Sequence, residues 1–149
     1  MARNYAVTGS RSVASPTQTL LGITGATSCR TQLNDLIVGS SATPADNALR
    51  FTVQRYTAAG TSTTVTPQAL DSADPASTTT AGVNHTVEPT YTTGAVVLDI
   101  AMNQRATQRW VATPGREIKV PATAANGLGV QPIHPSFTGT VNATVHFEE

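Results

Sequence analysis

Apolar and polar positions alternate with a period of two along several short stretches of the chain, and no stretch sustains a 3.6-residue period. The clearest alternation places Val96, Leu98, Ile100 and Met102 on one face and Ala95, Val97, Asp99 and Ala101 on the other, which predicts a core strand. Asn103-Gln104-Arg105 interrupts it. Gln108, Trp110 and Ala112 then alternate with Thr107, Arg109 and Val111, predicting a second strand beyond a corner. Thr113-Pro114-Gly115 is a turn signal, because proline presets φ and glycine accepts a positive one. Glu117 to Val120 resumes the pattern. The only tryptophan, Trp110, is central to these three strands and is expected to anchor the core.

Further strands are predicted at Leu20, Leu21 and Ile23, at Leu33 to Val38, and at Leu49 to Tyr56. Thr63 to Leu70 fits a hairpin partner that Pro67 confines to an edge. Asp71 to Asn84 holds few large apolar residues and reads as a long surface loop, while Gly127-Leu128-Gly129 reads as a flexible connection. Val141, Ala143, Val145 and Phe147 predict a final strand that closes a sheet. Residues 1–18 are polar apart from Tyr5, Val7 and Val13, and are expected to form an extended arm that docks on a neighbour. Residues 19–149 would then form one all-β domain of eight or so short segments, an antiparallel β-sandwich of jelly-roll-like form. Periodicity alone leaves sandwich, jelly roll and open barrel unseparated.

Charge changes the picture more than hydrophobicity does. Asp, Glu, Lys and Arg make up 12% of the 149 residues, against about 25% in a typical domain, and nine basic side chains cancel nine acidic ones. Nucleic acid would find no concentrated basic face, and no apolar run is long enough to enter a membrane or serve as a signal peptide. A soluble cytoplasmic product is expected. A net charge near zero gives little protection against self-association, which favours a chain held in an assembly.

Candidate chemistry is sparse. No serine lies in a G-x-S-x-G elbow, and His85, His134 and His146 lack the close pairing of a zinc motif. Asp71 and Asp74 lack the glycine and glutamate of a calcium loop, and Cys29 is alone, so it forms no disulfide within the chain. No catalytic, metal or cofactor residue is expected, and the chain reads as a building block. The interface candidates are Arg3, Tyr5 and Val7 in the arm, with Arg105, Arg109 and Arg116 around the tryptophan, since arginine binds carboxylates and stacks on aromatic rings.

A resemblance rests on Thr43-Pro44-Ala45-Asp46-Asn47, Pro67-Gln68-Ala69-Leu70-Asp71, Glu88-Pro89-Thr90-Tyr91, Asn103-Gln104-Arg105-Ala106-Thr107 with Arg109-Trp110-Val111-Ala112, and Val120 to Gly127. With these motifs the chain, from about Asn4 onward, resembles the head decoration, or capsid cement, proteins of tailed bacteriophages. The resemblance implies a β-rich subunit that binds the outer surface of the expanded head and bridges major capsid protein subunits. It also implies a virion location after synthesis in the host cytoplasm; a homotrimer, with a dimer as the alternative, is expected, and the charge balance and short apolar runs leave no nucleic-acid or membrane partner expected. It supplies no catalytic residue. The alternative expectation is a carbohydrate- or receptor-binding sandwich of a tail fibre, which would display Trp110 and tyrosines on an exposed platform.

Overall fold

A computed structural model describes residues 2–13, 18–133 and 138–149. The strands are β1 (Asn4–Val13), β2 (Leu21–Thr24), β3 (Gln32–Ser41), β4 (Ala48–Ala58), β5 (Thr61–Val65), β6 (Gln68–Ala69), β7 (Thr80–Val87), β8 (Thr90–Asn103), β9 (Thr107–Val111), β10 (Ile118–Lys119), β11 (Gly127–Ile133) and β12 (Gly139–Glu148). No helix occurs among the described residues. Two six-stranded antiparallel sheets form: β10-β3-β12-β1-β6, in which β9 also pairs with β3, and β5-β7-β2-β11-β4-β8.

The pairings are nested. β1 pairs with β12, β2 with β11, β3 with β9 and β10, and β4 with β8, so the chain lies as one long antiparallel ladder. Successive rungs alternate between the sheets, which rolls that ladder into a jelly roll. The excursion between β4 and β8 contributes β5, β6 and β7; β7 joins β2, β5 joins β7, and β6 joins β1.

Alternation decides what faces in. Leu33, Leu36 and Val38 of β3 and Val141, Ala143, Val145 and Phe147 of β12 are buried against Leu21, Ile23, Leu49, Phe51, Val53, Leu128 and Val130 of the other sheet. A register shift between His146 and Phe147, with Asn34 unpaired opposite, lets Leu33 and Leu36 both face inward while Asp35 lies beside His146.

Several expectations are corrected. The segment expected as an arm is, from Asn4 to Val13, an interior strand of its sheet, in ten-residue register with β12. Tyr5 and Val7 are core residues, with the Tyr5 ring stacked on Phe147 at 5.6 Å, so neither is an interface residue. Thr8, Ser10 and Ser12 occupy the alternate positions of a normal strand, and Gly9 lets Val83 pack close, since a Cβ there would lie 2.9 Å from its side chain. Residues 14–17 of the expected arm lie outside the described residues, as does His134. The expected loop at Asp71 to Asn84 ends at residue 79, where β7 begins and contributes Ala81 and Val83 to the core. Gly127 to Gly129 belongs to the central strand β11. Trp110 is only half-buried, on an edge strand, and β8 is an outer strand of its sheet.

Candidate functional site: the open edge of the sandwich

One side of the jelly roll is closed by the excursion. Beyond β5, β6 and β7, the loop at residues 71–79 is strapped onto the chain ends. The Tyr5 hydroxyl donates to the Pro75 carbonyl at 3.0 Å, and Arg3 Nε lies 3.6 Å from Asp74. The Glu149 carboxylate accepts from the backbone N–H groups of Thr78 and Thr79 at 2.9 and 3.0 Å, and from the hydroxyls of Ser77 and Thr78 at 3.0 and 3.1 Å. Burial alone would raise the pKa of Glu149, but these hydrogen bonds outweigh it and hold the carboxyl below its ordinary value.

The opposite side is open. Among the described residues, β8 pairs only with β4, and β9 and β10 pair only with β3. The core is incompletely closed here: of seven apolar residues partly buried against it, Leu98, Ile100, Ala106, Trp110 and Ile118 belong to this stretch of chain. Val96, Val97 and Val111 are 45%, 36% and 57% exposed. β8 is fourteen residues long, whereas β5 has five and β6 and β10 two each, so it is the one long edge. Proteins guard such edges with lysine, proline, charge or bulges. β8 has no lysine or proline, and its one charge, Asp99, lies 3.5 Å from Arg50. Register shifts, the last of them at Val97, distort the strand up to that point, with Gly94 at φ 71°; from Leu98 to Asn103 it runs in regular register with β4, and its other edge pairs with no strand among the described residues.

The arginines divide. Arg105 lies in the β8–β9 turn, its backbone N–H held by Asn103 Oδ1 at 2.9 Å, and Arg116 lies in the turn after β9, bonded to the Thr113 carbonyl at 2.8 Å. Both side chains are exposed. Arg109 instead grips Asp35, with Nε 3.0 and 3.1 Å from the two carboxylate oxygens and Nη2 2.6 Å from one of them. This grip, assisted by His146 Nδ1 at 3.1 Å, holds the Asp35 carboxyl below its ordinary pKa. Asp35 and His146 make two of the three members of a catalytic triad, but both carboxylate oxygens serve Arg109, and no hydroxyl bonds His146 among the described residues. Arg3 lies on the strapped side. Val96, Leu98 and Ile100 carried the signal of this edge, an apolar alternation read as core.

A second concentration of polar groups covers the outer face of the β2–β11–β4 sheet. With Leu21, Ile23, Leu128, Val130 and Val83 facing in, the alternate positions Gly22, Thr24, Gly82, Gly127, Gly129 and Tyr56 face out. A Cβ at Gly127 would strike the Tyr56 ring at 2.3 Å and one at Gly129 would strike Tyr91, so the missing side chains make room for two tyrosines. Asn84, at φ 53°, breaks the alternation of β7 and turns His85 to this same face, against Gly22. Tyr56 bonds Thr24 Oγ1 at 2.7 Å and Tyr91 bonds Thr19 Oγ1 at 2.6 Å. Glu88 accepts from Thr19 N–H, Thr19 Oγ1 and Gln131 at 2.8, 2.6 and 3.0 Å, and Arg11 Nη1 donates to the carbonyls of Thr19 and His85 at 3.2 and 2.9 Å. Burial pushes the Tyr56 hydroxyl up to about 12, raises Tyr91 likewise, and lowers His85. Trp110 is on the other sheet, so no tryptophan–tyrosine platform forms.

No group of His, Cys, Asp and Glu suited to a metal ion occurs among the described residues. Comparison with known protein families, with curated proteins and with solved structures yields no match.

Proposed function

We propose that this protein is a head decoration, or cement, subunit of a tailed bacteriophage that docks its β8–β9 edge on the major capsid protein and bridges neighbouring subunits of the expanded head. The observation that carries the reading is the asymmetry of the sandwich: one side is covered by its own excursion, and the other keeps a long, nearly uncharged edge with half-buried Leu98, Ile100 and Trp110. An extended segment of the shell adds its backbone hydrogen bonds to β8, the valines lose water, and Arg105 and Arg116 meet carboxylates at the rim. Jelly rolls also build viral shells, which supports the reading as an analogy of fold. Copies associate as a homotrimer on the outer surface of the virion, so that weak contacts repeat with the symmetry of the lattice.

The test is co-sedimentation of the purified protein with expanded heads that lack it, alongside light scattering of the free protein. Stoichiometric binding by the wild-type chain and loss of binding in Val97→Asp support the proposal. Binding that Val97→Asp and Arg105→Glu leave unchanged overturns the edge as the docking surface, and no binding at all overturns the function.

A further inference from the structure

The regular part of the open edge is short and complementary to itself. From Leu98 to Asn103, β8 keeps register with β4, which sets Leu98, Ile100 and Met102 opposite Val53, Phe51 and Leu49 on the core face. Asp99 and Ala101 lie on the outer face, opposite Thr52 and Arg50. Asp99 and Arg50 are diagonal neighbours there, 48% and 49% exposed, and meet loosely, with Arg50 Nε 3.5 Å from a carboxylate oxygen. The guanidinium therefore keeps donors for a second carboxylate. The small side chain of Ala101 leaves a hollow of about 250 Å³ beside it, lined by Ala48, Leu49, Arg50, Ala101 and Ile133.

A second copy of β8 would run antiparallel across a two-fold axis, and the sheet keeps one apolar face only where core-facing residues meet core-facing residues. The candidate centres are then Asp99, Ile100 and Ala101, because centres further out meet the register shift at Val97 or the turn after Asn103. Centring on Asp99 sets two carboxylates directly opposite, which is destabilising. Centring on Ala101 sets Asp99 against Asn103, whose amide is already used, Nδ2 by Asp46 at 2.7 Å and Oδ1 by the Arg105 N–H at 2.9 Å. Centring on Ile100 sets Leu98 against Met102 of the second copy, and Asp99 against its Ala101. Arg50 of that copy stands just beyond the alanine. Strand spacing puts its Cα about 10 Å from that of Asp99, within the joint reach of the two side chains. The two aspartates are diagonal neighbours about 7–8 Å apart, and each lies between two guanidiniums at shorter range.

We infer that free subunits cap this edge with a second copy of the chain, joined β8 to β8 about Ile100 into one continuous antiparallel sheet. Leu98 and Ile100, only partly covered within one chain, gain cover from the same residues of the other. The inference rests on the reading of β8 as the docking edge and adds its regulation. A capped edge cannot take a strand of the shell, so the dimer parts before a subunit attaches, and the homotrimer forms only on the shell. The two-fold pairing is closed and leaves no β8 free to propagate an open aggregate.

Sedimentation velocity of the full chain from about 1 to 500 μM, with amide hydrogen exchange at both ends of that range, tests this. A monomer–dimer equilibrium with a Kd of about 10 μM is expected, as befits a short strand interface. Alternate amides between Leu98 and Asn103 should exchange more slowly at the higher concentration. Asp99→Arg, at a half-exposed position, should weaken the dimer about tenfold or more, and adding Arg50→Asp should restore it. If Asp99→Arg fails to fold, salt raised from about 0.05 to 0.5 M should still weaken the wild-type dimer several-fold. A chain monomeric throughout, exchange independent of concentration, or a dimer indifferent to Asp99→Arg and to salt overturns the inference. Attachment to heads separates it from the docking role. Heads bound by a chain that never dimerises overturn the dimer alone, whereas a dimer whose chains never bind heads overturns the docking role and the regulation with it. Where both occur, the initial rate of attachment should rise as the square root of total protein above the Kd; a linear rise overturns the regulation.

Discussion

The two sides of the sandwich are finished differently. Beside β1 and β2, the excursion between β4 and β8 adds three strands and a loop tied down by Tyr5, Arg3 and Glu149. Beside β4 and β3, the ladder stops at β8 and β9 with backbone groups unpaired and Leu98, Ile100 and Trp110 half-covered. The closed side uses its interactions for stability, whereas the open side leaves them unmade, which the proposed docking would use. Folding and attachment should therefore be separable by mutation.

The largest effect is expected at Tyr5. Tyr5→Ala removes a fully buried ring stacked on Phe147 and should cost about 3–5 kcal/mol in denaturant unfolding, while the folded fraction still binds heads. Normal stability with lost head binding would return Tyr5 to an arm. Glu149→Ala releases the strap and should cost about 1–2 kcal/mol, less than a fully buried carboxylate would, because Glu149 is partly exposed. Its lowered pKa gives the sign of the acid response: the native state favours the carboxylate, so this stability is present above the ordinary value of 4.5 and is lost as pH falls through the folded value. Asp35 acts in the same sense below 3.8. Urea midpoints across this range should fall, and fall less in Glu149→Ala.

His85 titrates the fold at milder pH. Its pKa is lowered chiefly by burial, with nearby Glu88 opposing and Arg11 assisting, so the unfolded chain takes up the proton first. Stability should be level above 6.5 and decline as pH falls below it; a His85→Gln chain that folds should lose that decline. Val97→Asp should have the smallest effect on stability, within about 0.5 kcal/mol, and abolish co-sedimentation with heads. A large loss of stability there would mean that β8 is core after all.

The all-β class with its short antiparallel strands was legible because alternation and turns are local, whereas the jelly-roll order of the strands was not. Nor was position within a sheet. β8 has the stronger apolar pattern and is an edge, whereas β1 looks polar and is interior. Alternation reports which face of a strand meets apolar groups, while the number of strands beside it depends on pairing across the whole chain. Tyr5 and Phe147 lie at opposite ends of the sequence, and no local pattern couples them. At the open edge, Arg105, Arg109 and Arg116 were legible as a cluster, but the use of Arg109 by Asp35 depends on a register shift at Asn34. The turning of His85 onto the tyrosine face was illegible for the same kind of reason: it needs the break in β7 at Asn84 to coincide with glycines of separate strands.

The nested ladder also has a consequence for synthesis. β11 lies between β2 and β4, and β12 between β1 and β3, so the middle of each sheet is made after its flanks. A ribosome that has finished β10 has released two pairs of strands with nothing between them, and neither sheet can close until Gly127–Glu148 has emerged. Folding must therefore wait for the last strands. During that interval the apolar residues of β1 to β4 are exposed together, which makes the nascent chain, rather than the finished subunit, the stage at which crowding and chaperones decide the yield.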